Sequence, residues 1–365
     1  MEIEVSTDRE DAPKLGVCTL TMNSEVSIGY VLDSLIRQKY PEDRVFYLVV
    51  DGGSSDRTLE VAREVLGKGL GMKYDIALAA GSNIPQARNV CLERLLQVGV
   101  DYVLFVDSDT VVALANAFQL ITQLAKGRKS LIHFTTEFRC FKDADELHKF
   151  VSRLQPAEVS VAEEDLIPSL RIGMGFTIIP RDLAASLKFE EDMDFAEDHL
   201  YALKALSFGY TPYIVRKALP IYDVNIAGSK GDIYWRMPVS RYLRSARKKT
   251  LRVLIACVED GSLKFSHKRL LRVLTKHLVN AGLLALLLSL PLLAVVDLKL
   301  FTAGALARIG VTLGYATHKK LKGFSLVEGL KNRLKFELHS ALILLNLPLA
   351  YHDIMRILRE ASRRR

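Results

Sequence analysis

Two carboxylates stand one residue apart at the end of an apolar run. The segment YVLFV, residues 102–106, leads directly into Asp107 and Asp109, with Ser108 between them. The run predicts a buried strand, so both carboxylates would leave a sheet at the same point. Mg²⁺ and Mn²⁺ prefer carboxylate oxygens and usually share their coordination with substrate phosphates. The pair therefore predicts a site for one divalent cation or one polar ligand.

Two further polar loops follow strand-like runs earlier in the chain. TMNSE, residues 21–25, comes after the run that begins GVCTL, and DGGSSD, residues 51–56, comes after VFYLVV. Gly, Ser, Asn and Asp are ordinary turn residues, so one such loop alone indicates no more than a turn. Three loops together, one of them with paired carboxylates, favour a binding site.

The elements that would position these loops alternate between strands and helices. The strand-like runs are residues 16–22, 45–50 and 102–107. The helical stretches are residues 27–40, 57–66 and 83–98. This alternation predicts βαβ units with right-handed crossovers, and hence an α/β fold with a mostly parallel sheet flanked by helices. Ligands of such sheets bind outside the carboxyl ends of the strands, where the three loops would gather.

The middle of the chain, residues 130–235, is less regular and holds two segments that bear on chemistry. RIGMGFTIIP, residues 171–180, is rich in glycine, and FEEDMDFAEDHLYALKAL, residues 189–206, predicts a helix with an acidic start. Carboxylates at the start of a helix complement its dipole. On spacing alone, Glu197 and Asp198 would therefore be caps.

Length and composition predict a folded chain of one large domain or two ordinary ones. The chain has 365 residues and an apolar fraction of 49%, which is ample for a core. Its four cysteines lack the close spacing of zinc sites and small disulfide frameworks; they are Cys18, Cys91, Cys140 and Cys257. We expect each to be a small buried residue in a reducing compartment. The polar, acidic start MEIEVSTDRED shows no secretory signal.

The net charge of +8 conceals a division between the front and the back of the chain. Residues 1–235 hold 25 basic and 35 acidic side chains, whereas residues 236–365 hold 25 basic and 7 acidic ones. The basic residues flank apolar runs instead of the aromatic residues on which bases stack. This pattern predicts an anionic membrane surface as a partner, and no nucleic acid.

The back of the chain predicts helices at a membrane. Residues 236–277 interleave Arg and Lys with apolar residues, which suits basic juxtamembrane helices as well as helices packed on a soluble domain. Residues 278–296 are an uncharged run of 19, and at ~1.5 Å per residue such a run just crosses a ~30 Å hydrocarbon layer. A weaker run at 298–317 carries Arg308 at mid-span. Together they predict a transmembrane hairpin over 278–317.

The end of the chain, residues 318–365, is expected to form basic helices at the interface. Its apolar stretch, residues 341–351, is too short to cross a membrane comfortably. Two spans and a surface helix keep every basic cluster on the cytoplasmic side, as the positive-inside rule prefers. A soluble all-helical domain is the alternative.

The motifs taken together resemble those of the family 2 glycosyltransferases. Over roughly residues 14–235 they are, in order, TLTMNSE, VVDGGSSDRT, SNIPQARNV, FVDSDT, RIGMGF and FAEDHLYALKA. A single element such as DxD is a weak signal, whereas six in this order are specific. The resemblance implies a GT-A domain over residues 1–235, inverting transfer from a UDP- or GDP-linked sugar, and Mg²⁺ or Mn²⁺ as cofactor.

The resemblance also implies roles for individual residues at the donor. The nucleotide would lie against side chains of the first loops and of the following helix and strand, namely Thr21, Glu25, Asp51, Arg88 and Asp107. Asp109 would bind the metal, with Asp107 close to it. For Arg88 the alternative is a structural ion pair. Gly52 stands where the family often has a second Asp, so the nucleobase of the donor stays undetermined.

On the acceptor side, the resemblance makes Asp198 the general base. Glu197, Gly173 and Gly175 would lie beside it. A closing loop in the family often carries a His, where this chain has Asp223, which would contribute to the metal site. Diphosphate charge would be neutralised by Lys230 or Arg236, although Arg236 could equally anchor the chain to lipid.

Three functions follow from these observations. The favoured one is sugar transfer to a hydroxyl of a lipid or lipid-linked glycan, by a prokaryotic enzyme at the cell membrane with its catalytic domain in the cytoplasm. The nearest alternative transfers the sugar to a polyprenyl phosphate, an ionised acceptor that needs no base. The third is a non-catalytic membrane scaffold with a nucleotide-binding fold. Intact DxD and Glu-Asp pairs favour the first.

Overall fold

The computed structural model describes most of the chain, in the ranges 11–69, 72–193, 196–226, 246–296, 305, 311–312 and 326–364. It divides into two compact units. The first comprises Met1–Ile233, Glu259–Lys264 and Ile357–Arg365, and the second comprises Tyr234–Val258 and Phe265–Arg356.

The first unit is built on an eight-stranded mixed sheet and a small three-stranded sheet. In chain order the strands are β1 (Leu15–Thr21), β2 (Val45–Asp51), β3 (Lys73–Leu78), β4 (Tyr102–Val106), β5 (Thr110–Val112), β6 (Ser130–Phe134), β7 (Glu137–Phe141), β8 (Leu166–Pro168), β9 (Phe176–Pro180), β10 (Thr211–Val215) and β11 (Ile221–Ile226). The large sheet has the order β3-β2-β1-β4-β9-β6-β10-β8, and the small one has the order β5-β11-β7.

Strand direction brings the important loops to one edge of the large sheet. β3, β2, β1 and β4 are mutually parallel, and β9 is antiparallel to both β4 and β6. Since β10 is parallel to β6, six of the eight strands run the same way. The predicted α/β fold with a mostly parallel sheet is confirmed. The edge strand β3 is an addition that the sequence analysis did not name.

Seven helices accompany these strands in the described part of the first unit. They are α1 (Ile28–Ile36), α2 (Thr58–Leu66), α3 (Ile84–Val98), α4 (Ala117–Ala125), α5 (Ala144–Val151), α6 (Arg181–Ser186) and α7 (Glu197–Ser207). The start of α3 is well capped, since the Asn83 side chain accepts a hydrogen bond from the Gln86 N–H and the Gln86 side chain accepts one from the Asn83 N–H. Gly99, with φ of 83°, ends it.

The helix predicted over 189–206 is wrong at its N-terminal end. The structure begins α7 at Glu197, because Ala196 has the left-handed φ of 60° that a continuing α-helix does not allow. The acidic residues before it that the structure describes lie in a turn. Only Glu197 and Asp198 of the acidic segment therefore occupy the first turn of the helix.

The cysteines differ from the expectation of four separate buried thiols. Cys18 of β1 and Cys91 of α3 are fully buried and form a disulfide, with their Cα atoms 6.2 Å apart. They are 73 residues apart in sequence, so only the packing of α3 on the sheet brings them together. Cys140 is exposed, whereas Cys257 is a buried free cysteine as predicted.

The second unit is mostly helical where it is described. Its helices are α8 (Ala246–Ile255), α9 (His267–Val296) and α10 (Leu326–Arg364), the last of which ends in the first unit. Helix α9 joins part of the predicted basic region to the apolar run 278–296 without a break. Nearly all of the second predicted span, 298–317, lies outside the described residues.

Buried polar side chains join α9 to α10. His277 and Ser340 are hydrogen bonded at 3.0 Å, and Arg333 donates to Asn280 at 3.0 Å and to Glu337 at 2.9 Å. These side chains are nearly or fully buried. Polar groups of this kind fix the register of two helices, because a shift would leave them without partners.

One stretch of the described residues, Glu337–Arg364, is long and apolar enough to cross a membrane by length and composition. It contains residues 341–351, which the sequence analysis assigns to a surface helix. Core helices of soluble proteins meet the same criterion.

Candidate active site

The structure brings the three polar loops together at the carboxyl edge of β1, β2 and β4. Asn23 N–H donates to Ser54 Oγ at 2.8 Å, which joins the first loop to the second. Ser24 Oγ lies 3.0 Å from Ser108 Oγ, and Ser27 Oγ donates to the Ser108 carbonyl at 2.8 Å. The loops therefore form one surface, as the sequence predicted.

Asp51 is buried at the end of β2 and is held by its own loop. Its carboxylate accepts hydrogen bonds from the N–H groups of Gly53 at 3.0 Å and Ser54 at 2.9 Å. Gly53 has φ of 100°, a conformation that a residue with a side chain rarely adopts. Thr21, in register with Asp51 on β1, is also buried, and its hydroxyl has no hydrogen-bond partner among the described residues.

Glu25 ties the first loop to the start of α2. Its carboxylate accepts a hydrogen bond from the Arg57 N–H at 3.0 Å, while its own N–H donates to Asp56 at 3.2 Å. These contacts give Glu25 a structural role at the site. A role in contacting a nucleotide stays a prediction.

The carboxylates of Asp107 and Asp223 converge on Gly175. A Cβ atom on Gly175 would lie 3.6 Å from Oδ2 of Asp107 and 3.7 Å from Oδ1 of Asp223. Asp223 accepts hydrogen bonds from Thr110 at 2.9 Å and from Thr136 at 2.5 Å. The pairing of β11 with β5 and β7 thus carries Asp223 to the paired aspartates from more than 100 residues away in sequence.

Charge is concentrated at Asp107. Although 43% of its side-chain surface is exposed, its pKa is raised to about 6, first by burial in the protein and then by the nearby charges of Asp109, Asp223 and Glu197. Arg88, whose Nη2 lies 3.8 Å from Asp107 Oδ1, opposes the shift. Such a cluster favours a cationic ligand.

The donor chemistry fits a hard divalent cation that shares its coordination with a ligand. No group of three or more His, Cys, Asp or Glu side chains is arranged to enclose a metal within the ranges that the structure describes. Two or three carboxylates from Asp107, Asp109 and Asp223 would leave at least half of an octahedral shell open. Mg²⁺ commonly fills such positions with phosphate and water.

A buried ion pair connects the two sides of the site. Arg88 of α3 and Glu197 of α7 are 5% and 6% exposed, and Nη1 of Arg88 donates to the Glu197 carboxylate. The Arg88 guanidinium also lies 5.4 Å from the centre of the Phe189 ring. Its Nε is buried with no hydrogen-bond partner among the described residues. The structural ion pair considered for Arg88 is therefore present, and it also occupies Glu197.

Asp198, the residue after Glu197, has a different hydrogen-bond partner. It is half-buried, and its Oδ1 accepts a hydrogen bond from the His199 N–H at 2.7 Å, as a carboxylate in the first turn of a helix can. Both residues lie in the first turn of α7, which places Asp198 beside Glu197 and Arg88. The two other predicted residues of the closing loop, Lys230 and Arg236, lie outside the described residues.

His133 is a site residue that the sequence analysis missed. It lies near the carboxyl end of β6, is 8% exposed, and its Nδ1 is 2.9 Å from Oγ1 of Thr177. Burial lowers its pKa from 6.5 to about 4, and the charge of Asp198 partly opposes this. The imidazole is therefore neutral at pH 7. No motif marks it, because only the β6–β9 pairing brings it to the site.

His133 should make the fold sensitive to acid. Folding lowers the pKa of His133. Its contribution to the free energy of unfolding is therefore complete above the unfolded pKa of 6.5 and is lost as the pH falls through about 4. Between pH 7 and pH 3.5 the free energy of unfolding of the wild type should fall by about 3 kcal/mol more than that of His133→Gln. Urea unfolding of both proteins across this range tests the difference. Parallel loss in both would contradict it.

Comparison with known proteins matches the front of the chain to one family. Residues 16–157 match the model described as glycosyl transferase family 2. Over 96 residues, 26% of this chain, the sequence is 35% identical to the poly(ribitol-phosphate) beta-N-acetylglucosaminyltransferase TarS of Staphylococcus aureus. That match spans only 16% of the length of the relative.

Two solved structures are similar to larger parts of the chain. The mannosyltransferase PcManGT from Pyrobaculum calidifontis, in complex with GDP-Man and Mn²⁺, is 18% identical, with a TM-score of 0.50, and the match covers 93% of this chain and 88% of that one. S. aureus TarS 1–349 in complex with UDP is 20% identical, with a TM-score of 0.46, and the match covers 66% of this chain and 65% of that one. The match to PcManGT indicates a shared fold.

Proposed function

Because residues 16–157 match the model of glycosyl transferase family 2, we propose that the protein transfers a sugar, with inversion, from a nucleotide-sugar donor to a hydroxyl of a lipid or lipid-linked glycan. Similar proteins support the donor class. TarS is an N-acetylglucosaminyltransferase, and the structure of PcManGT is a complex with GDP-Man.

The observation that carries this proposal is the position of Arg88 between Asp107 and Glu197. Its guanidinium is 3.8 Å from Asp107, on the donor side, and is paired with Glu197, which precedes Asp198. One buried cation thus fixes a carboxylate of the DxD motif relative to the helix that carries the proposed base. Inversion needs a base that is held in place relative to the donor, because base and leaving group must act on opposite faces of the sugar.

A divalent cation, Mg²⁺ or Mn²⁺, would be held by Asp109 and Asp107, with Asp223 contributing. When bound, it supplies positive charge that stabilises the departing nucleoside diphosphate. Thr110 and Thr136 orient Asp223 through their hydrogen bonds. Gly175 keeps the space between Asp107 and Asp223 open, since even a methyl group there would touch both carboxylates.

Asp198 acts as the general base in the proposed reaction. Its carboxylate takes the proton from the acceptor hydroxyl as the oxygen attacks the anomeric carbon. Glu197 cannot exchange roles with it, because its carboxylate is buried and paired with Arg88. On the donor side of the site, the nucleotide would contact Thr21, Asp51 and Glu25. Outside the described residues, Lys230 and Arg236 would neutralise the diphosphate.

The proposed location is the cytoplasmic face of the cell membrane. The excess of basic over acidic residues after position 235 supports it, as does the apolar stretch in Glu337–Arg364. A lipid or lipid-linked acceptor would be present at this face of the membrane.

Donor hydrolysis tests the proposed function. The full chain, purified in detergent or nanodiscs, would be screened with UDP- and GDP-sugars in the presence of Mg²⁺ or Mn²⁺, and the released nucleotide measured. We expect turnover of at least one donor, lost in EDTA and in Asp109→Asn. Metal-dependent binding of UDP or GDP with no turnover of any donor would instead support a non-catalytic scaffold.

A further inference from the structure

We infer that Phe138 binds the acceptor by stacking against the apolar face of a sugar ring. This inference rests on the proposed function and narrows its acceptor to one that carries a sugar, as a lipid-linked glycan does.

Phe138 is an aromatic side chain that folding leaves in contact with solvent. It is the second residue of β7 and keeps 66% of its surface exposed. Scattered exposed apolar residues are ordinary on protein surfaces. Phe138 differs from them in its position, because β7 pairs with the strand that carries Asp223.

The pairing of β7 with β11 puts Phe138 on the face of the small sheet that bears Asp223. The two residues are register partners, and register partners on neighbouring strands point to the same side, with backbones about 5 Å apart. Thr136, two residues before Phe138, donates a hydrogen bond to the Asp223 carboxylate and so lies on this face as well. The other face of β7 bears Glu137 and Arg139, which form an ion pair with each other.

The connection between the two sheets places Phe138 on the acceptor side of the site. In the large sheet β1 and β2 lie on one side of β4, and β6 lies on the other side, beyond β9. The loops that would hold the nucleotide follow β1 and β2, so they lie away from β6. β6 ends at Phe134 and β7 begins at Glu137. Since the charge of Asp198 acts on His133 of β6, Phe138 follows directly on the strand that approaches the proposed base.

The surroundings of Phe138 fit a sugar ring better than an acyl chain or a phosphate. A pyranose has C–H groups on its ring face and hydroxyls at its rim, so it can cover an aromatic ring while its hydroxyls meet polar side chains. Thr136, Asp223 and Asn225 supply such side chains on this face. An acyl chain over Phe138 would cover these polar groups without offering them a hydrogen bond. A phosphate would be repelled by Asp223 and would receive no hydrogen bond from a phenyl ring.

Two synthetic acceptors test this contact, with the full chain in nanodiscs and the donor that the hydrolysis screen identifies. Octyl β-D-glucopyranoside offers a sugar ring, and octan-1-ol offers the same alkyl chain with one hydroxyl. For Phe138→Ala we expect the KM for octyl glucoside to rise roughly 10-fold, the loss of one stacked aromatic contact. Its kcat should stay within about 3-fold, because stacking binds the acceptor without taking part in the chemical step. The KM for octan-1-ol should also change less than about 3-fold.

Two further substitutions at position 138 separate stacking from simple apolar contact. Phe138→Tyr keeps the flat ring, so its KM for octyl glucoside should stay within about 3-fold of the wild type. Phe138→Leu keeps an apolar side chain without a flat face, and its KM should rise by roughly 5-fold or more. Tyr74→Ala is the matched control, since it removes an exposed aromatic ring from the edge strand β3 at the other end of the large sheet. It should leave both KM values unchanged.

Several results would overturn the inference. Equal losses with both acceptors in Phe138→Ala, or a wild-type KM in Phe138→Leu, would show that no sugar ring stacks on Phe138. Donor hydrolysis with transfer to octan-1-ol alone, or to neither acceptor, would do the same. Because Phe138 is exposed, Phe138→Ala should keep the urea midpoint of the wild type, and a lowered midpoint would make Phe138 a structural residue. Absence of donor hydrolysis in the wild type would instead refute the proposed function.

Discussion

Replacing Asp198 with asparagine is expected to lower kcat by about 10²–10⁴-fold, the usual contribution of a general base. The KM for the donor should stay within about 3-fold, because Asp198 acts on the acceptor and not on the nucleotide. The test is steady-state transfer to octyl β-D-glucopyranoside, measured beside donor binding.

This substitution separates catalysis from helix capping. The asparagine side chain can still accept the hydrogen bond that Asp198 receives from the His199 N–H. Asp182 is a matched control, since it is also the second residue of a helix and is exposed. Asp182→Asn should leave kcat unchanged. Turnover near the wild-type rate in Asp198→Asn would show that no base is needed and would favour a phosphate acceptor.

Replacing Arg88 with methionine is expected to destabilise the first unit by about 3–5 kcal/mol. The loss is large because Glu197 would be left charged and unpaired in a buried position. Adding Glu197→Gln should recover at least about 2 kcal/mol, since the remaining amide carries no charge. Urea unfolding of both single variants and the double variant, at one pH and salt concentration, measures the coupling.

An exposed ion pair provides the comparison for Arg88. Lys188 and Glu93 form an ion pair in which each side chain keeps more than half of its surface exposed. Lys188→Met should therefore cost less than about 1 kcal/mol. If Arg88→Met costs no more than Lys188→Met, the ion pair does not organise the site. Activity should fall in both Arg88→Met and the double variant, because neither fixes α7 relative to Asp107.

Sequence patterns predicted the regular elements of the sheet with success. β1, β2, β4 and α3 follow from continuous apolar runs and a helix with clear caps, which are local properties. The short edge strand β3 lacks such a run, since most of its residues are exposed or half-buried. The start of α7 depends on the left-handed backbone of Ala196, which no periodicity of side chains shows.

By itself, the sequence predicted the chemistry that we propose for this protein. Asp107, Asp109 and Asp198 are identified by local order along the chain, as is the contrast between an acidic front and a basic back. Tertiary structure decided which of these groups meet. The fold brings Arg88 to Glu197, Asp107 close to Asp223, and His133 to Thr177. The members of these three pairs lie 109, 116 and 44 residues apart in sequence, respectively. Such contacts depend on strand order and packing, which leave no local signal in the chain.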